Sequence, residues 1–150
     1  MMGQYSIPDV VRGVDGPLLL TPAADTARKQ LGAWARDSAH LAIDYNIHGK
    51  GDRDYCSTSL ESLVKPLLQG MNLAGCKYTM HRAADARLIS VDHRTYVIPI
   101  NVIANTPAIR DLARNIMTLL VGYFYTLSTD AIISPTVDYL VVEGHSEASP

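Results

Sequence analysis

The run from Arg94 to Leu127 constrains the fold more than any other part of the chain, because it joins a β-strand signal to a long helical signal. Residues Thr95 to Ile103 are rich in β-branched and aromatic side chains, which favour a pleated, at least half-buried strand. Pro99 has no N–H group, so it indicates an edge position, a strand end or a bulge. The even positions are all apolar and are predicted to face the core: Tyr96, Ile98, Ile100 and Val102.

A helix is predicted directly after this strand. Asn105 or Thr106 can cap free backbone N–H groups, and Pro107 suits the first helical turn. The polar face thins beyond about Val121, so we predict that this end is buried by a second sheet, a second helix or another subunit. Apolar residues recur at spacings of three and four, which is typical of one apolar stripe: Ile109, Leu112, Ala113, Ile116, Leu119, Leu120, Tyr123, Phe124 and Leu127.

The composition predicts one globular domain over residues 1–150, since 47% of the residues are hydrophobic. The net charge of −2 argues against coating of nucleic acid by bulk charge, but it allows a local nucleic-acid site. No apolar run approaches the roughly 18 residues that a membrane-spanning helix needs, and the N-terminus has no cationic start followed by an apolar stretch. We therefore expect neither a membrane protein nor one secreted by a recognisable signal.

The chain before this run shows strand and turn signals. Residues 4–21 are predicted to form a hairpin with its turn at 13–17, and residues 22–36 can be interpreted as helix or strand. Apolar and polar residues alternate from 39 to 47, which predicts a strand with one polar face. Residues 57–71 have helical spacing interrupted by Pro66, which predicts a short helix or an ordered loop.

The remaining segments complete the predicted sheet. Strands are predicted at 77–81 and 88–91. A last short helix is predicted at 136–143, where two adjacent valines make a strand the alternative. Residues 144–150 are a polar tail that we predict to be mobile.

No sequence motif predicts a reaction, a metal site or a cofactor. Cys56 and Cys76 lie twenty residues apart, without the partners of a zinc site; they are expected to be free thiols in a reducing cytoplasm, and a bond between them or to another chain is the alternative outside the cell. The histidines do not have the spacing of a metal motif, and the common phosphate-binding, hydrolase and zinc-protease motifs are absent. Composition and periodicity therefore predict only an α+β domain whose sheet has one covered face and one polar face.

One family has a similar order of elements. The chain resembles the coat proteins of the single-stranded RNA bacteriophages, the leviviruses, in four segments. These are the strand Tyr96–Val102, which continues through Ala104 and Asn105 into a capped helix, the ending Val137–Val142, and the segments 32–34 and 77–80. The resemblance extends over most of the chain and departs from the family between Gly51 and Gly75, where a connection is longer.

The resemblance implies an α+β fold built as an intertwined dimer. The family pattern places an N-terminal hairpin at 4–21, an antiparallel β-sheet meander at 39–104 and two C-terminal helices at 106–143. Each subunit's helices then cross the partner's sheet and cover the even face of the strand at 95–103. The implied dimer-interface residues are Ile109, Leu112, Ile116, Leu120, Tyr123 and Phe124.

The resemblance also implies a structural role in a virion assembled in the cytoplasm of a bacterial host. The implied partners are a second copy of the chain, further copies in an icosahedral shell, and single-stranded genomic RNA; no enzyme activity, cofactor, metal or membrane is expected. Because few of the matching residues are cationic, we expect weak, salt-sensitive RNA binding. The implied RNA-binding residues are Asp44, Asn46, His48, Lys77, Thr79, His81, His93 and Thr95.

Two other interpretations stay open. The chain could be a tail or decoration protein of another phage. From a different class, it could be a small cytosolic enzyme or a ligand-binding α+β domain that uses the histidine-bearing sheet face together with Asp44.

Overall fold

A computed structural model describes residues 11–40, 43–48 and 51–144. These residues form two α-helices, a short π-helical turn at Trp34–Ser38 and eleven strands. The helices are α1 (Pro22–Ala33) and α2 (Thr58–Gly70). The strands are β1 (Val14–Leu19), β2 (Tyr45–His48), β3 (Asp52–Tyr55), β4 (Lys77–Ala83), β5 (Arg87–Ile89), β6 (Thr95–Val102), β7 (Ala108–Arg110), β8 (Ile116–Thr118), β9 (Tyr123–Leu127), β10 (Ala131–Ser134) and β11 (Val137–Glu143).

The strands form two antiparallel sheets that pack face to face. The larger sheet has the order β1-β9-β6-β11-β4-β3-β2, and the smaller one has the order β5-β10-β7-β8. From β4 onward the chain passes repeatedly between the sheets, so that β4-β11-β6-β9 faces β5-β10-β7-β8. This eight-stranded arrangement is the jelly roll. The core between the sheets includes Val97, Tyr125 and Tyr139 from the larger sheet and Ile109 and Ile133 from the smaller one.

The N-terminal part of the chain adds a helical layer to this double sheet. β1 extends the larger sheet beside β9, and β3 and β2 extend it beside β4. α1 and α2 pack against each other and cover the outer face of the larger sheet, where Leu31 and Leu67 meet Ile98 and Leu140 in a second core. The molecule therefore has three layers: helices, a seven-stranded sheet and a four-stranded sheet.

Local signals explain both helices. The Thr21 hydroxyl accepts a hydrogen bond from the backbone N–H of Ala24, and Pro22 occupies the first turn of α1. The Ser57 hydroxyl caps α2 in the same way. Pro66 lies on the exposed side of α2, so the carbonyl that loses its donor is near solvent and the helix continues. Neither helix has the length and apolar character of a membrane-spanning segment.

The α+β class and the antiparallel sheets are confirmed, but the predicted helix after residue 105 is wrong. That segment forms β7, β8 and β9, separated by turns in which Arg114 and Gly122 have positive φ angles of 74° and 94°. The apolar spacing of three and four came from short strands and their turns, in which Ile109, Leu119 and Leu127 each reach the core between the sheets.

The predicted last helix at 136–143 is also wrong, and the strand alternative is confirmed. β11 pairs with both β4 and β6, so it is buried on its two faces as a central strand. A run of apolar and β-branched residues suits that environment. The predicted tail from residue 145 onward lies outside the described residues.

The first strand of the predicted N-terminal hairpin falls largely outside the described residues. Residues 14–17 of the predicted turn belong to β1, which has a bulge between Asp15 and Leu18. β1 pairs with β9. Pro99 marks a bulge as the sequence suggested, because the register between β6 and β11 shifts there.

A buried carboxylate connects the layers. Asp138 on β11 is fully buried and accepts two hydrogen bonds from the Arg82 guanidinium, at 2.7 and 3.0 Å. The Tyr55 hydroxyl donates to it at 2.9 Å, and the Asn101 amide donates to it at 3.1 Å. The same amide group donates to the carbonyl of Gly32 in α1 at 2.8 Å. Asp138 therefore links β11 with β3, β4, β6 and the helical layer.

Removal of this carboxylate should be strongly destabilising. We expect Asp138→Ala to lower the free energy of unfolding by about 3–5 kcal/mol, because it leaves the Arg82 charge buried without its partner. Chemical denaturation measures the loss. Adding Arg82→Met to that variant should recover part of it, and Asp37→Ala, which breaks the exposed Arg36–Asp37 pair, should cost less than about 1 kcal/mol. Equal losses for Asp138→Ala and Asp37→Ala would contradict the role of the buried network.

The contact between the helices gives a second prediction. A Cβ atom on Gly70 would lie 2.9 Å from the backbone nitrogen of Ala24 and 3.0 Å from its Cα. Alanine is favoured over glycine within a helix by about 1 kcal/mol, but overpacking against backbone costs about 1–3 kcal/mol. We therefore expect Gly70→Ala to destabilise the protein in denaturant unfolding. The exposed neighbour change Gln69→Ala should be within about 0.5 kcal/mol of wild type, and a Gly70→Ala protein as stable as wild type would exclude the close contact.

Candidate functional site

One face of β4 brings together several of the residues predicted to bind RNA. Lys77, Thr79 and His81 alternate along β4 and therefore point to the same side of the sheet. The register places Asn46 of β2 in the same row, through Asn46–Asp54–His81. We call the surface formed by Asn46, Asp54, Lys77, Thr79 and His81 the β4 face.

The other predicted RNA-binding residues lie apart from the exposed part of this face. Asp44 is buried in the turn before β2, where its carboxylate accepts a hydrogen bond from the backbone N–H of His40. His93 is exposed in the loop before β6. Thr95 belongs to the same sheet side through the row Thr95–Glu143–Lys77, but it is buried and its hydroxyl donates to the carbonyl of His93. His48 lies on β2, and its side chain is outside the described structure.

His81 is held by a chain of hydrogen bonds across the β4 face. Its Nδ1 lies 2.6 Å from Oδ1 of Asp54, and its Nε2 lies 2.9 Å from Oγ1 of Thr79. Its ring packs against Tyr139, with the centroids 5.4 Å apart. These contacts fix both the position and the orientation of the imidazole.

Arg87 contacts the same carboxylate oxygen as His81. Its Nη1 donates to Oδ1 of Asp54 at 3.1 Å, and its Nε lies 3.7 Å from Oδ2 of Asp52. Since Arg87 is on β5, this group joins the edge of the smaller sheet to β3. A cavity of about 220 Å³ is lined by Thr79, His81, Arg87, Leu88, Ile89, Ser90, Thr95, Tyr139, Val141 and Glu143.

The surroundings fix the protonation states of the pair. Burial tends to raise the pKa of Asp54, but hydrogen bonds from His81 and Arg87 lower it below the ordinary value. Burial lowers the pKa of His81, although the hydrogen bond to Asp54 opposes this effect. Both shifts favour an ionised Asp54 beside a neutral His81, and since an ionised carboxylate can only accept, Nδ1 then carries the proton and Nε2 accepts from Thr79.

The β4 face is not a cationic surface. Lys77 pairs across the sheet with Glu143, and Arg87 is bound to Asp54 and Asp52. Phosphate groups would therefore meet carboxylates beside each of these cations. This arrangement favours weak contacts over tight binding of a polyanion.

The predicted dimer-interface residues separate into two groups. Ile109 is fully buried in the core between the sheets, and Tyr123 and Phe124 are half-buried on β9, where Phe124 packs against Tyr96. Leu112, Ile116 and Leu120 are exposed on the turns and strand that replace the predicted helix. The even face of β6 is covered by the chain's own α1 and α2, so the prediction that a partner's helix covers it is wrong.

The outer side of the smaller sheet carries a row of three apolar residues and one arginine. Leu88, Ile132, Arg110 and Ile116 are aligned in one row across β5, β10, β7 and β8. Leu88 is 57% exposed and Ile116 is 54% exposed. We call this row the outer face. Sequence reasoning did not find it, because a predicted helix over these residues excludes the pairing of β7 with β8 and β10.

A larger open cavity, of about 650 Å³, lies beside the loop from β7 to β8, and Asp111 and Asp130 line it. Asp111 accepts hydrogen bonds from the backbone N–H groups of Arg12, Ala113 and Asn115, which lower its pKa to about 2. Asp130 accepts one from the N–H of Val91. Both carboxylates therefore stabilise loops. Within the described ranges, no three His, Cys, Asp or Glu side chains are grouped as they would be to hold a metal ion.

Comparison with models of known protein families gave no match, and no curated protein is significantly similar to the chain.

The pKa of His81 gives a test of the β4 face. A histidine whose pKa is lowered on folding contributes stability that is fully present above about pH 6.5 and is lost as the pH falls through its folded-state pKa. Between pH 7 and pH 5, wild type should therefore lose more unfolding free energy than His81→Gln, by at most about 1.4 kcal/mol per pH unit. The control His93→Gln, in an exposed loop, should keep the wild-type pH dependence. Identical profiles for wild type and His81→Gln would contradict a buried neutral His81.

Proposed function

We propose that the chain is the structural subunit of an icosahedral viral shell that encloses single-stranded RNA. The observation that carries this proposal is the jelly-roll order β4-β11-β6-β9 facing β5-β10-β7-β8. Double-sheet jelly rolls occur in viral capsid proteins, and also in lectins and cupins. Fold alone does not select among these, so the surface has to be considered as well.

Exposed apolar side chains on separate parts of the molecule favour a shell subunit. Leu19 on β1 and Ile43 before β2 are 72% and 71% exposed, while Leu88 and Ile116 are on the outer face. A ligand-binding domain needs one such area, whereas a shell subunit has to contact neighbours on several sides.

The proposed dimer differs from the levivirus arrangement. The resemblance to that family placed two helices at 106–143, across the sheet of the partner, but those residues form strands. α1 and α2 precede the jelly roll and cover their own sheet. We therefore assign the contact between copies to the outer face. The proposed location is still the virion.

RNA contact is assigned to the β4 face, where Asn46, Lys77 and Thr79 are exposed. Because Asp54 and Glu143 lie among these groups, binding should be weak: added salt should remove the ionic contact of Lys77, and any specificity should rest on polar contacts. A weak site suits a shell subunit, since many copies share one RNA molecule.

Purified protein should form uniform closed particles that contain nuclease-protected host RNA. Electron microscopy and size-exclusion chromatography with light scattering measure this. Ile116→Glu and Leu88→Glu should give small, folded species with wild-type circular dichroism, because the introduced charges would be buried between copies. Ser62→Glu, which adds the same charge on the exposed side of α2 and away from the outer face, should still form particles.

Two results would count against this proposal. A wild-type protein that stays monomeric at all concentrations would overturn the shell function. Normal particles from both Ile116→Glu and Leu88→Glu would exclude the outer face as the contact between copies.

A further inference from the structure

The hydrogen bonds of the β4 face have a pattern that a shell subunit does not need. Asp54 Oδ1 contacts His81 Nδ1 at 2.6 Å, and His81 Nε2 contacts Thr79 Oγ1 at 2.9 Å. A carboxylate thus orients an imidazole, and the imidazole contacts a hydroxyl through its other nitrogen. A nucleophile within hydrogen-bond reach of a base, with the base oriented by a third group, is the arrangement that activates serine and threonine hydroxyls.

We propose that Thr79, His81 and Asp54 form an acyl-transfer site that acts on small carboxylic esters. This activity does not depend on assembly, so it goes beyond the shell function. The three residues come from adjacent strands, β4 and β3, whose register places His81 directly opposite Asp54. Backbone pairing rather than a mobile loop therefore holds the geometry.

Access to the hydroxyl supports the proposal. Thr79 is exposed, whereas His81 is half-buried against Tyr139, so the nucleophile faces solvent while the base is shielded. Both residues line the cavity of about 220 Å³, which is large enough only for a small acyl group and its leaving group. Arg87 lines the same cavity, where Asp54 and Asp52 hold its guanidinium in place.

The proposed reaction balances without a cofactor. Thr79 Oγ1 forms a bond to the acyl carbon, and its proton passes to Nε2 of His81. The bond from the acyl carbon to the leaving oxygen then breaks, and His81 returns the proton to that oxygen. Water next attacks the acyl carbon while Nε2 of His81 takes its proton. The bond from that carbon to Thr79 Oγ1 then breaks, His81 returns the proton to Oγ1, and the carboxylic acid is released.

The tautomer required for the first step is the one that the structure favours. Ionised Asp54 can only accept a hydrogen bond, so Nδ1 of His81 carries the proton and Nε2 accepts from Thr79. Arg87 also donates to Oδ1 of Asp54, at 3.1 Å, and helps to fix the carboxylate. Asp54 and Arg87 are therefore positioning residues, and Thr79 and His81 are the catalytic pair.

The test uses p-nitrophenyl acetate with the full-length protein. We expect release of p-nitrophenolate and an acetyl group on Thr79, located by peptide mass spectrometry. Thr79→Val, which keeps the shape but removes the hydroxyl, should abolish the adduct. Thr79→Ser should restore it, because serine retains the hydroxyl. Replacing the base in His81→Gln should lower the acylation rate by about 100-fold or more.

A matched control separates this site from general surface reactivity. Thr118→Val removes an exposed hydroxyl from β8, away from the β4 face, and should leave both the rate and the adduct unchanged. Acetylation that is absent from Thr79, or that proceeds equally in wild type and Thr79→Val, would overturn the proposal. Esterase activity in a protein that forms no particles would uphold the acyl-transfer site while refuting the shell function, so the two fail separately.

Discussion

The buried carboxylate of Asp138 is the interaction on which the three layers depend. A charge with no exposed surface is costly unless its hydrogen-bonding capacity is met, and here Arg82, Tyr55 and Asn101 meet it. Each donor comes from a different strand, and Asn101 also reaches the carbonyl of Gly32 in α1. Asn101 thus ties the helical layer to the network, because a shift of α1 would break its hydrogen bond to the carbonyl of Gly32. Gly32 is part of this constraint, since a Cβ atom there would lie 2.5 Å from Oδ1 of Asn101.

Sequence reasoning predicted elements well where one signal dominated. The strand at 95–103 and the strand at 77–81 are confirmed, and α2 forms where capped helical spacing predicted it. The helix at 105–127 failed because apolar spacing of three and four arises equally from a helix and from short strands joined by tight turns. The turn between β7 and β8 is stabilised by Asp111, whose carboxylate accepts hydrogen bonds from the backbone N–H groups of Ala113, Asn115 and the distant Arg12. No local pattern reveals that last contact.

The candidate site shows the same division between local and long-range information. Strand parity correctly placed Lys77, Thr79 and His81 on one face, since they share a strand. The partner of His81 could not be predicted, because Asp54 lies on β3, and the helix α2 separates β3 from β4 in the sequence. Asp44 was assigned to the same face and is instead a buried turn residue bound to the N–H of His40. Sequence patterns identify which side chains share an element, but register between elements decides which of them meet.

The position of β11 has a consequence for how the protein is made. β11 follows all the other described strands in the chain, yet it lies in the middle of the larger sheet, where Leu140 pairs with Met80 on one side and Ile98 on the other. During synthesis β4 and β6 leave the ribosome long before the strand that joins them. During that interval the edges of β4 and β6 that pair with β11 have no partner strand, and the Arg82 side chain lacks the carboxylate of Asp138. Such long-range pairing is slow to form, so the nascent chain is committed to a late closing step in which sheet order, charge neutralisation and helix docking are completed together.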